Sequence, residues 1–154
     1  MKQLSWAAFK MLLMIKRHVQ TLLNKGAFTK AIGTAAEYVR RNPTCATGHQ
    51  LVAMAEEKAG YIKAAIQTIV HAIDLAPEDL SFRVMRARLL VKDHRIKEAI
   101  ADVEAIITRC NPRRDADLLN DAVVCRDELL ERLALRPSQR KHQQTTGICS
   151  QQVV

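Results

Sequence analysis

Apolar residues recur along this chain at intervals of three and four, the spacing that gathers side chains on one side of an α-helix. Ile15, Val19 and Leu22 keep that rhythm, and so do Ile62, Ile66, Ile69 and Ile73. These stripes stop at regular places. Pro43, Pro77 and Pro112 each close a helix, because proline cannot continue the hydrogen-bond ladder and pushes its predecessor towards extended backbone. Helices are therefore predicted to end near Arg41, Leu75 and Arg109. Upstream of each proline, Gly26, Gly60 and the polar pair Asp93 and His94 mark a further break. Each segment between prolines thus divides into two helices of about a dozen residues.

The segments are copies of one another. Ala31-Ile32, Ala65-Ile66 and Ala99-Ile100 are spaced by 34 residues, and the prolines follow at gaps of 34 and 35. A fixed period of this length is the mark of stacked helical hairpins. Small residues at Ala53 and Ala87 in first helices, and at Ala31, Ala65, Ala72 and Ala99 in second helices, let paired helix axes approach closely. After Pro112 comes Asp115, a candidate N-cap. It is followed by a helix with Leu118, Leu119, Ala122, Val123, Leu129, Leu130 and Leu133, which suits the end piece that a repeat stack requires.

These residues resemble the tetratricopeptide repeat (TPR) family. Val52, Ala53, Gly60, Tyr61, Ala65, Ile69, Ala72 and Pro77 fall at or beside the family's pattern positions in the middle unit. Ala87, Leu90, Ile96, Ala99 and Val103 do so in the third, and Gly26, Phe28, Ala31 and Pro43 in the first. The departures are Glu56, where an aromatic or leucine is usual, and Val19 and Tyr38, where the family prefers small residues. The resemblance implies an all-α fold, a right-handed superhelical stack of antiparallel helix pairs with a C-terminal capping helix. It places repeats at about 11–43, 46–77 and 80–112 and the cap at about 115–135, within one domain over 1–136. Residues 137–154, rich in Gln, Thr, Ser and basic residues, are expected to form a disordered polar tail.

In that family the first helix of each repeat lines a concave surface that holds extended peptides. Carried over, the surface comprises Leu13, Lys16, Gln20 and Asn24, then Gln50, Met54, Glu57 and Lys58, then Val84, Arg88 and Lys92. Cations set among apolar side chains suit a peptide with acidic and hydrophobic residues. The carboxylate clamp of co-chaperone members is not expected, because its positions read Lys16, Gln20, Leu51, Ser81 and Met85, and only the first is retained. A second candidate surface is the N-terminal helix. There Trp6, Phe9 and Leu13 lie opposite the stripe of Leu12, Ile15, Val19 and Leu22, at the mouth of the groove. This aromatic patch is a candidate for binding the partner or a second copy of the chain. Local packing against the second hairpin and contact with a membrane surface are the competing readings of it.

Composition narrows the function further. With 48% hydrophobic and only 4% aromatic residues in 154, the chain can bury a core without a metal or disulfides, and it favours helix over strand. A net charge of +8 favours acidic partners. Nucleic acid is disfavoured, since the basic residues are dispersed and no aromatic-rich basic strand accompanies them. Cys45, Cys110, Cys125 and Cys149 lack metal-ligand spacing and read as free thiols of a reducing, cytoplasmic compartment. No serine sits in a nucleophile turn, the five histidines lack ligand spacing, and no glycine-rich phosphate loop is present. No cofactor, metal or catalytic residue is expected. The sequence points to a non-catalytic scaffold or adaptor that binds a protein or peptide; the alternative is a substrate-positioning or regulatory arm of a transferase-type enzyme.

Overall fold

A computed structural model describes residues 6–135 of the chain, with side chains from residue 9 onward. Seven helices follow in order: α1 Trp6–Asn24, α2 Phe28–Arg41, α3 Ala46–Lys58, α4 Ile62–Leu75, α5 Leu80–Lys92, α6 Ile96–Arg109 and α7 Ala116–Ala134. Helices α2, α4 and α6 end at the residues that the prolines imply. Each helix packs chiefly on its neighbours in sequence, with an added contact between α1 and α3, so the molecule is a stack of hairpins with α7 laid over the last. The predicted polar tail, 137–154, lies outside the described residues.

The three hairpin turns share one backbone solution. Gly26 donates to the Leu23 carbonyl and Ala27 to that of Leu22; Gly60 and Tyr61 repeat this on Glu57 and Glu56, and His94 and Arg95 on Val91 and Leu90. This pair of bonds caps the last carbonyls of each first helix and requires a left-handed residue between them. Gly26 and Gly60 supply it at φ 72° and 86°, whereas the third turn forces His94 to φ 62°. A side chain there costs about 1–2 kcal/mol relative to glycine.

Inside the stack the repeated alanines are fully buried: Ala31, Ala65 and Ala99 have no exposed surface, as have Ala53 and Ala72. Larger side chains fill between them in two groups. One joins α1, α2 and α3 through Leu12, Val19, Leu23, Tyr38, Leu51 and Val52. The other runs from α3 to α7 through Ile69, Phe82, Leu89, Ile106 and Leu129. Met54 touches both, so α3 is the shared wall.

Tyr38, too large for its position by the family pattern, is accommodated ten residues later. Gly48 on α3 is buried, and a Cβ placed there would lie 3.2 Å from the Tyr38 ring and from Val39. The missing side chain makes room for the ring, whose hydroxyl reaches Cys45 Sγ at 3.8 Å. Burial and that thiol push the phenol pKa up to about 12. Val19 is simply enclosed, with 1% of its surface exposed. Asp115 does stand at the N-cap of α7, but its carboxylate turns back to accept from the Asn111 N–H and to pair with Arg114 instead of capping the helix. Among the described residues a side-chain cap is on α5, where Asp79 accepts from the Ser81 N–H at 3.0 Å and from its hydroxyl.

Candidate protein-interaction groove

The first helices α1, α3 and α5 carry the residues expected to line the groove, because their inward-facing stripes leave the flanking positions outside the core. On α1, Leu13 is half-exposed and Lys16 and Gln20 are exposed, with Gln20 donating to Asn24 at 2.9 Å. On α3, Gln50 and Met54 are half-buried and Lys58 is exposed; on α5, Val84, Arg88 and Lys92 are exposed. Apolar and charged side chains therefore alternate across three successive helices.

Two of these helices are joined by charge. Glu57 on α3 accepts from Arg88 Nη2 at 2.8 Å and from Lys92 Nζ at 2.7 Å, both on α5. The carboxylate side chain is only 7% exposed, while Arg88 and Lys92 remain 56% and 49% exposed. Burial alone would raise the Glu57 pKa, but Lys92 and Arg88 outweigh it and hold the group below its usual value. Arg88 and Lys92 are thus already engaged, and the cluster keeps one net positive charge. Its neighbour Glu56 behaves oppositely: half-buried and bonded only to Thr68 Oγ1 at 2.8 Å, it has a raised pKa caused mainly by burial. Lys16 and Lys58 form no ion pair among the described residues.

At the N-terminal edge, Leu12, Val19 and Leu23 are buried, whereas Phe9 and Leu13 are 44% and 50% exposed. Trp6 opens α1, and its side chain lies outside the described residues. Of the positions that a carboxylate clamp would use, Leu51 and Met85 are core residues and Ser81 is bonded to Asp79. Among the described residues no three His, Cys, Asp or Glu side chains gather as metal ligands, and no helix is long and apolar enough to cross a membrane.

Between α5 and α6 lies a second charged cluster that sequence reasoning missed. Asp102 of α6, 2% exposed, receives both Nε, at 2.7 Å, and Nη2 of Arg86, with Arg83 Nη1 at 3.5 Å. A signal was present: Asp102 stands between Ala99 and Ile106 at helical spacing, on the apolar side of α6.

Comparison of this architecture with solved structures settles the fold class. The Yersinia enterocolitica type III secretion translocator chaperone SycD superimposes with a TM-score of 0.70 at 10% identity, over 82% of this chain and 88% of SycD. PcrH, solved in complex with the chaperone binding region of PopD, gives 0.69 at 12%, over 86% and 98%. The Arabidopsis OM64 TPR domain gives 0.62 at 19%, over 79% and 96%. No family model matches the sequence, and no curated protein matches it. The chain has a TPR-type fold, an all-α superhelical stack of antiparallel helix pairs.

Proposed function

We propose that this chain is a non-catalytic scaffold that holds an extended segment of a partner protein along α1, α3 and α5. The observation that carries the reading is the Glu57 cluster. It exposes two cations held by one carboxylate, flanked by Met54 and Val84, with Leu13 further along the same side. Such a surface suits a partner that alternates acidic and apolar residues, offering charge-assisted bonds beside apolar contact. The solved SycD complex with a peptide of the translocator YopD, and that of PcrH, supports peptide binding as a use of this fold. Within this reading Trp6, Phe9, Leu13, Lys16, Gln20, Gln50, Met54, Lys58, Val84, Arg88 and Lys92 form the binding surface. The protein works in the cytoplasm and catalyses nothing.

The test is selection from a displayed peptide library against the intact chain. Enriched peptides are expected to combine Asp or Glu with large apolar residues, and to lose binding to the Arg88→Glu, Lys92→Glu double variant and to Val84→Glu, with circular dichroism checking that each variant is folded. Peptides without acidic residues, or binding indifferent to all three substitutions, would overturn the assignment.

A further inference from the structure

The two ends of the stack are chemically opposite. In the whole sequence no Asp or Glu precedes Glu37, while Lys2, Lys10, Lys16, Arg17, Lys25 and Lys30 do. On α1, with Leu12, Val19 and Leu23 turned inward, the row Lys10, Met14, Arg17 and Thr21 points away from the core at steps of four, three and four. All four are exposed, Met14 by 73%. Of the ten exposed large apolar side chains among the described residues, four lie between Phe9 and Met14, so apolar surface is concentrated at this end.

Helix α7 carries the counterpart. With Ala122 and Leu129 buried against the stack, Asp117, Asp121, Val124, Glu128 and Glu131 form one outward row at steps of four, three, four and three. Val124, 58% exposed, is the one apolar member. The ion pairs of this region use Asp115 and Asp127, which leaves the four carboxylates of the row outside any ion pair among the described residues. Helix α1 packs on α2 and α3, and α7 on α6, and the outward row of each lies on the side turned from the buried residues of its own helix. The end helices of a repeat stack normally present a polar outer surface; here each outer row is polar with one exposed apolar residue set within it, Met14 on α1 and Val124 on α7.

We infer that α7 of one copy docks on the outer row of α1 of a second copy. Val124 then meets Met14, and the carboxylates of α7 lie opposite Lys10 and Arg17 at matching steps. Opposite charge in register supplies specificity and speeds encounter, while burial of the methionine and valine supplies contact that salt does not screen. The two patches differ, so the contact is head-to-tail and leaves each assembled pair with a free α1 end and a free α7 end. It propagates into open chains unless the rotation between copies closes a ring. On α1 the row lies beside Leu13, so docking leaves open the part of the proposed binding surface that α3 and α5 carry.

Sedimentation velocity on the full chain over a rising concentration series tests this. The mean mass is expected to grow past the dimer at low salt and to fall as salt screens the pairing. Lys10→Glu with Arg17→Glu abolishes the growth, and so does Asp121→Lys with Glu128→Lys in a separate chain. Mixing the two variants restores it, because each then offers the other's missing charge; circular dichroism of each variant checks that the helices persist. A monomer at every concentration would overturn the inference. So would a dimer that α1 reversal breaks and α7 reversal leaves intact, since that identifies an α1-to-α1 contact. Binding of the unassociated chain to phosphatidylglycerol vesicles, unaffected by α7 reversal, would assign the row to a membrane surface and overturn it equally.

Discussion

Two carboxylates, Asp102 and Glu57, each hold two cations of α5, and they do so in opposite settings. Asp102 lies within the third hairpin, and Arg86 and Arg83 beside it have side chains only 25% and 16% exposed. Glu57 reaches from the second hairpin to the third, and its cations stand half in water. Taking three charges out of water incurs a large dehydration cost, which attraction at close range offsets only while every partner is present. The Asp102 cluster even leaves Arg83 Nε buried without a hydrogen-bond partner. The same charge ratio therefore makes one cluster part of the hairpin's specification and leaves the other open to exchange with a ligand.

Three variants sharpen or break this contrast. Asp102→Ala strands two arginines inside the third hairpin and is expected to lower unfolding free energy by about 3–5 kcal/mol, read from urea denaturation. Replacing the whole cluster by Asp102→Leu, Arg83→Met and Arg86→Met removes the stranded charges and the orphaned Nε together. That chain is expected to equal or exceed the parent by as much as about 4 kcal/mol, and a large loss would show that the ion cluster is intrinsically stabilising. Glu57→Gln is expected to cost at most about 1 kcal/mol, since its cations are solvated, while tightening the binding of acidic peptides by removing their internal competitor. The pH dependence has a fixed sign. With its folded pKa depressed, Glu57 contributes stability that is present above its unfolded pKa and is lost as pH falls through the folded value. The Gln variant should lack that part of the acid limb in denaturation midpoints taken from neutral pH downward.

What the sequence discloses follows from how far each signal reaches along the chain. Alanines, prolines and turn residues act within one hairpin and recur every 34 residues, so Ala31, Ala65 and Ala99 announce the stack. Charge partners follow no local rule. Glu57 meets Arg88 and Lys92 from 31 and 35 residues away, just to either side of the repeat length, so the groove looks more basic in the sequence than it is in the structure. Asp102 is concealed differently: acidic residues on helices are usually solvated, and only its place in an apolar row betrays it. His94 is legible as a break but not as a left-handed residue, because the preceding turns use glycine there.

The fit of the Tyr38 ring over Gly48 has a consequence for how freely these hairpins can be interchanged. Tandem modules are commonly shuffled, duplicated or rewritten towards an average sequence, since neighbouring joints are alike. Here the joint between the first and second hairpins is private. A transplanted second hairpin with a side chain at 48 would crowd the ring and force it to shift, and a first hairpin with alanine at 38 would leave a hole beside the glycine. The two positions are coupled, so the first two hairpins are less interchangeable than their period advertises.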